Sequence, residues 1–123
     1  MSLNLEVRFR GMEPSDFVSA RVEECASKLE KFFHHITYCK VLLEQPHHHK
    51  QQGNRFHVRI EVGVPGKKLV TNNDPGNYDT HEDAYVTIRD AFNAMRRQLQ
   101  DYARILRNET KTHSEIIAET VIY

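Results

Sequence analysis

The residues of this chain that could act on another molecule are mainly arginines, and most of them lie on one long amphipathic segment. Apolar residues recur there at three- and four-residue steps, which predicts a helix whose buried stripe contains Ala84, Ile88, Phe92, Met95, Leu99, Tyr102 and Ile105 or Leu106. At about 100° per residue, a basic set falls on the opposite side of that helix; it consists of Arg89, Arg96, Arg97, Arg104, Arg107 and Lys111. Such a row of cations could bind a polyanion, and the alternative is an ordinary solvated helix face.

The charge of the chain is balanced in total but uneven along the sequence. There are 17 Lys and Arg against 17 Asp and Glu, which gives a formal net charge of zero. Residues 47–72, which include Lys67 and Lys68, hold five cations and one acid; residues 86–113 hold six and three; residues 73–85 hold four acids and neither Lys nor Arg. Because local potential rather than net charge steers binding, separate basic and acidic patches are compatible with nucleic acid as a partner.

Length and composition indicate the broad class of protein. A chain of 123 residues predicts one domain with one core. No segment is apolar for long enough to span a membrane, and the first residues alternate like a strand rather than a signal peptide, so a cytoplasmic location is expected. Cys25 and Cys39 fall on predicted buried faces and are expected to be reduced core residues. Two thiols are too few for a structural zinc site, and we expect no metal or cofactor.

The predicted elements make up a small α+β domain. Alternation of apolar and polar residues predicts strands at residues 3–10, 37–45, 55–64 and 67–72, with a loop at 73–79. A first helix follows Pro14 and places Phe32 and Phe33 in the core, and the basic helix begins after Thr80. The order β-α-β-β-β-α predicts a two-layer sandwich, a largely antiparallel four-stranded sheet with two helices on one face. On the open face the third strand would present Arg55, His57 and Arg59, which could extend the basic surface as a secondary contact for a nucleic acid.

Two short motifs resemble those of the ribosome hibernation promoting factors. Lys28-Leu29-Glu30-Lys31, followed by an aromatic residue and then His35-Ile36-Thr37, is similar to the end of the first helix in that family. His81-Glu82-Asp83-Ala84-Tyr85, followed by Ile88 and Arg97-Gln98-Leu99, is similar to the signature of their second helix. The motifs occur in the family's element order, and the resemblance covers about residues 2 to 107.

The resemblance implies a fold like the double-stranded-RNA-binding domain and no enzymatic activity. It implies binding to the small ribosomal subunit, in the cleft between head and body that messenger and transfer RNA use, so that translation stops and idle ribosomes are preserved under stress. Some members carry the label of sigma-54 modulation proteins. Matching positions imply RNA-binding roles for Lys28, Lys31, His81, Tyr85 and Arg97. We expect the other arginines of the second helix and the pair Lys67 and Lys68 to bind RNA as well.

Three groups of residues each allow two interpretations. Tyr85 could pack at the helix–sheet edge or stack on a base. The histidines at 47–49 could form a solvated loop tip or contact ribosomal RNA. His81 with Glu82 and Asp83 could suggest acid–base chemistry, but these residue types also suit a helix start, and no nucleophile or oxyanion feature accompanies them.

The end of the chain and the function each leave alternatives open. Residues 1–107 are expected to form the ribosome-binding domain and residues 108–123 a C-terminal tail or linker. The tail could continue the helix, pair on a sheet edge, or dock on a second copy as a homodimer. The second functional hypothesis is a protein-interaction or regulatory module, a homodimer or a modulator of a transcription factor, whose basic stripe meets an acidic protein surface. Only the ribosomal hypothesis predicts saturable binding to small subunits and competition with messenger or transfer RNA.

Overall fold

Four strands form one sheet, and two helices cover one of its faces. The structure, a computed structural model, describes the backbone over residues 4–45, 55–77 and 81–120 and the side chains over 4–45, 56–72 and 84–108. In chain order the elements are β1 Leu5–Arg10, α1 Asp16–Phe32, β2 Tyr38–Glu44, β3 Arg55–Val64, β4 Lys67–Asn77 and α2 His81–Thr120. The predicted α+β sandwich with the order β-α-β-β-β-α is therefore confirmed.

The sheet has the strand order β1-β2-β3-β4. β1 pairs parallel with β2, whereas β2 with β3 and β3 with β4 are antiparallel. A parallel neighbour cannot be reached by a tight turn, so α1 serves as the crossover between β1 and β2. The fourth strand is longer than predicted, since residues 73–77 extend β4 instead of forming a loop. The long β3 pairs with Asn73, Gly76 and Asn77 of this extension, and the register shifts at a bulge between Phe56 and Val58.

The backbone requires a glycine where the chain leaves β1. Gly11 has a φ of 71°, and a Cβ at this position would lie 2.3 Å from the backbone oxygen of Gln45. Just beside it, the Gln45 amide donates a hydrogen bond of 2.9 Å to the Arg10 carbonyl. Both the left-handed backbone and the close approach of two chains therefore require glycine here.

Helix α1 begins at a side-chain cap. Ser15 is the N-cap, and its hydroxyl accepts a hydrogen bond of 3.2 Å from the Val18 amide. The buried residues of α1 recur at helical spacing and are Val18, Val22, Cys25, Ala26 and Leu29. The prediction that both phenylalanines are core residues was wrong for one of them, because Phe32 is 38% exposed whereas Phe33 is half-buried. Successive helical side chains diverge by about 100°, so Phe32 lies at the margin of the stripe.

Among the described side chains of α2, those that cover the sheet lie in the first half of the helix. Its buried residues are Ala84, Ile88, Ala91, Phe92, Met95 and Leu99, which confirms most of the predicted stripe. Gln98 Nε2 donates to the Val70 carbonyl at 2.8 Å, and the Tyr102 hydroxyl donates to the Pro65 carbonyl at 2.9 Å. Beyond these contacts the prediction of burial was wrong, since Ile105 is 53% and Leu106 44% exposed. Of the alternatives for the tail, the backbone follows the first, and the helix continues to Thr120.

The two cysteines are free thiols inside the core, as predicted. Cys39 is fully buried beneath the helices, and burial raises the pKa of its thiol to about 12 from an ordinary value of 9.0. Burial likewise raises the pKa of Cys25. A neutral thiol is therefore the form that the folded state stabilises at both positions.

The raised pKa of Cys39 predicts a loss of stability in alkali. The folded state holds the thiol proton more tightly than the unfolded state, so this stabilisation is complete below pH 9 and is lost as the pH rises toward 12. We expect Cys39 to contribute a slope of about 1.4 kcal/mol per pH unit to the free energy of unfolding within that window. Urea unfolding at pH 8 to 10.5 should show a shallower decline for Cys39→Ala than for the parent chain; parallel curves would contradict the assignment.

Candidate nucleic-acid-binding groove

A surface groove runs between α1 and α2. It has a volume of about 280 Å³ and is lined by Arg21, Cys25, Lys28, Leu29 and Phe32 from α1 and by Arg89, Phe92, Asn93 and Arg96 from α2. We call it the interhelical groove. The lining residues of each helix share one side of that helix, because steps of three, four and seven residues return to the same side. Each helix therefore presents its groove residues along the edge beside its own buried stripe.

The lining combines an apolar floor with cationic walls. Cys25, Leu29 and Phe92 are buried at the bottom. Four cations line the sides, namely Arg21, Lys28, Arg89 and Arg96, and no carboxylate is among the described lining residues. Clefts with low-dielectric walls and charge of one sign concentrate the electric field. The groove is therefore suited to an anionic ligand.

Two stacked pairs hold guanidinium groups in place at the groove. Arg21 of α1 lies over the ring of Tyr85 of α2, 4.4 Å from its centroid, and Arg96 of α2 lies over the ring of Phe32 of α1, at 4.5 Å. Phe17 packs against the Tyr85 ring with centroids 5.0 Å apart. Each pair joins the two helices. The early part of α1 meets the start of α2, and the end of α1 meets Arg96 further along α2, so the two helices run side by side in the same direction. Cation–π contacts of this kind orient the cations before a ligand arrives.

The nearby carboxylates only partly neutralise the cations. Glu24 accepts from Arg21 at 2.8 Å and lies 3.7 Å from Lys28, and the hydrogen bond from Arg21 lowers the pKa of this carboxyl. Arg89 lies 3.4 Å from Asp90. Arg96 forms no ion pair with any described carboxylate. The Nε of Arg21 is buried and has no described hydrogen-bond acceptor.

The structure gathers some of the sequence-predicted RNA-binding residues in this groove and separates others. Lys28, Arg89 and Arg96 line it, and Tyr85 packs at its side against α1 rather than at the predicted helix–sheet edge. Four other cations of the helices are exposed and do not line the groove: Lys31, Arg97, Arg104 and Arg107. Arg104 pairs with Asp101 at 3.1 Å.

The remaining predicted residues lie on other surfaces. Lys67, at the β3–β4 turn, lies 6.0 Å from the Tyr102 ring centroid, and Lys68 follows it in β4. His57 and Arg59 point to the sheet face away from the helices. The side chains of His81 and Arg55, together with the histidines at 47–49, lie outside the described residues.

Sequence reasoning overlooked two groove residues. Arg21 was not singled out, and Phe32 was assigned to the core. The signal that could have found them is the run of Arg21, Cys25, Lys28 and Phe32 at steps of four, three and four, which places all of them on one side of α1. Within the described part of the chain no cluster of three metal-ligating side chains occurs. None of the helices, over the same residues, could cross a membrane.

A four-stranded sheet covered by two helices, with a cationic groove between them, defines a small α+β protein with a surface suited to an anionic partner. The model of the family described as sigma 54 modulation protein / S30EA ribosomal protein matches residues 5–107, and the chain belongs to this family. No curated protein sequence matches the chain.

Solved structures that resemble this fold include two ribosome-related proteins. A ribosomal subunit interface protein from Coxiella burnetii superposes with a TM-score of 0.65 and 14% identity, and the match covers 82% of this chain and 98% of that one. The N-terminal domain of Thermus thermophilus Protein Y gives a TM-score of 0.52 and 16% identity, covering 76% and 97%. At these identities the likeness establishes the fold.

Proposed function

We propose that this protein is a non-enzymatic, ribosome-associated inhibitor of translation in the cytoplasm. Its interhelical groove would bind ribosomal RNA of the small subunit in the decoding cleft, block the sites of messenger and transfer RNA, and preserve idle ribosomes under stress. The observation that carries this proposal is the groove itself, with four cations and no carboxylate among its described lining residues. We assign this role to residues 1–107 and treat 108–123 as a tail or linker.

Family and structural relatives support a ribosomal partner. The description of the family names a ribosomal protein, and it matches residues 5–107, the part that holds both walls of the groove. The Coxiella burnetii relative is described as a ribosomal subunit interface protein. The groove favours an anionic ligand, and the description of the family favours ribosomal RNA among the polyanions.

The geometry suits recognition of a phosphate backbone rather than of a base sequence. Arginine presents a planar fork of donors that matches phosphate oxygens, and three of the four groove cations are arginines. Binding would release counterions from the RNA, which gives affinity without sequence readout. Phe32 and Tyr85, 38% and 40% exposed, lie where an unstacked base could contact a ring.

The groove is better suited to binding than to catalysis. Cys25 is the one thiol among its described lining residues, and burial raises the pKa of that thiol. A nucleophilic cysteine needs a lowered pKa, so this thiol is held in its unreactive form.

The alternative is a protein-interaction module, and one observation favours it. Helix α2 runs on to Thr120, past the last of its described contacts with the sheet, and carries the exposed side chains of Ile105 and Leu106. Exposed aliphatic residues on a projecting helix could meet a second copy or another protein. This contact would lie outside the interhelical groove, so a homodimer through the tail is compatible with RNA binding.

Co-sedimentation with isolated small and large ribosomal subunits tests the proposal. We expect saturable, one-to-one binding to the small subunit, with added messenger or transfer RNA acting as a competitor. Four phosphate contacts predict a slope of about −3 to −4 for log affinity against log salt concentration. Absence of binding at moderate salt, or equal binding to both subunits, would overturn the proposal in favour of a protein partner.

A further inference from the structure

The sheet face opposite the helices carries a second group of cations. Its charged residues come from alternate positions of all four strands. The cations are Arg8, Arg10, Lys40, Arg59 and Lys68, and the acids are Glu6, Glu44 and Glu61. A depression of about 180 Å³ lies among them. The helices lie on the other side of the sheet, so this surface is separate from the interhelical groove.

The acids of this face are engaged locally. Glu6 pairs with Arg8, and Glu44 lies 3.4 Å from Arg10. Glu61 accepts a hydrogen bond of 2.7 Å from the Tyr38 hydroxyl. No described carboxylate forms an ion pair with the other three cations, which are Lys40, Arg59 and Lys68. The face therefore has positive charge in excess of what its own acids neutralise.

Strand register gives these cations a regular arrangement. Arg8, Leu42 and Arg59 lie side by side on β1, β2 and β3, and Lys40 lies two residues along β2 from Leu42. Strands are about 4.8 Å apart, so the two arginines stand about 10 Å apart across the half-buried Leu42, with Lys40 about 7 Å along the strand. A rigid sheet thus presents three cations around a shallow, partly aliphatic floor.

We propose that this sheet face is a second RNA-binding surface, with Arg8, Lys40 and Arg59 as its phosphate contacts. The inference rests on the proposed function and adds that the domain contacts ribosomal RNA on two opposite sides. RNA fits this face better than a protein does, because the centres of protein interfaces are apolar and depleted of charge. Here Leu42 and Val70 are half-buried aliphatic residues amid charged and polar neighbours.

Neutral variants on the two surfaces separate this inference from the proposed function. The sheet variant combines Lys40→Gln with Arg59→Gln, which removes two exposed cations without breaking an ion pair of the described residues. The groove variant combines Arg89→Gln with Arg96→Gln and changes the charge equally. Glu6→Gln serves as a control on the sheet face, because it removes a negative charge where the sheet variant removes positive charges. Affinity for small ribosomal subunits would be measured for each over a salt series.

We expect the sheet variant to bind about 10-fold more weakly, with a salt slope reduced by about 1.5, since two phosphate contacts are lost. The parent slope should be about −5 to −6, as four groove and three sheet cations would give, rather than the slope of about −3 to −4 expected from the four groove cations alone. Glu6→Gln should bind at least as tightly as the parent. If only the groove variant loses affinity, the second surface is refuted and the proposed function stands. If the parent chain does not bind, or if neither variant differs from it, the proposed function fails together with this inference.

Discussion

A chain that carries Arg89→Glu together with Arg96→Glu is expected to lose measurable binding to small ribosomal subunits. Both side chains line the interhelical groove, and Arg96 has no described carboxylate partner. Each charge-assisted contact to phosphate contributes about 1.5–3 kcal/mol, and glutamate adds repulsion. The combined loss corresponds to an affinity at least about 100-fold lower at physiological salt. Co-sedimentation or fluorescence titration measures it directly.

A matched pair on the same helix controls for net charge. Arg104→Glu with Arg107→Glu changes the charge by the same amount, but these exposed residues lie beyond Tyr102, the last described residue that hydrogen-bonds to the sheet. We expect this pair to weaken binding far less, through the general field of the protein alone. Both double variants should lower the thermal midpoint by only a few degrees, since all four side chains are exposed and the ion pairs and the stacking contact that are lost are weak surface interactions. Equal losses for the two pairs would show that net charge, and not the groove, determines affinity.

Phe56→Ala is expected to be the most damaging single truncation of an aromatic residue, and Phe32→Ala among the mildest. Phe56, on β3, is 1% exposed beneath the helices, so its truncation leaves a cavity in the core. Such a change costs about 3–5 kcal/mol, a large part of the 5–15 kcal/mol that stabilises a typical domain. The thermal midpoint should fall by more than about 10 °C.

The same substitution at Phe32 removes a ring that is 38% exposed and lies under the Arg96 guanidinium. Its cost to stability should be about 1 kcal/mol or less, which is the scale of an exposed cation–π contact with partial burial. The loss should appear instead in subunit affinity, because Arg96 would no longer be held at the groove. Urea unfolding and subunit titration of the two variants measure both effects. Similar unfolding free energies for the two variants would contradict the assignment of Phe32 to the groove.

The fold could be predicted because its signals are local. Alternating residues such as Val58, Ile60 and Val62 indicate a strand with one buried face, and Ile88, Phe92 and Met95 indicate the buried stripe of a helix. From these periods follow the element order, the two layers and the open sheet face that carries Arg59. The reason is that each period lies within a single element and needs no knowledge of its neighbours.

Two boundaries depended on tertiary contacts. Ile105 and Leu106 continue the apolar spacing of α2, yet they are exposed because the sheet no longer lies beneath the helix there. Residues 73–77 contain turn-forming types, yet they are strand because β3 supplies a pairing partner of sufficient length. In both cases the outcome depended on where another element ends.

The candidate site was also predictable in part from the sequence and in part determined by tertiary packing. The sequence alone indicated that α2 carries basic residues opposite its core stripe, and it included Arg89, Arg96 and Arg97 on equal terms. Only the packing of α1 beside α2 distinguished them: Arg89 and Arg96 face the neighbouring helix, Arg97 does not, and Arg21 and Phe32 join the groove from α1. A helical period determines which residues share a face. The rotation of one helix against another depends on side-chain packing between residues far apart in the chain, and that packing decides which cations converge.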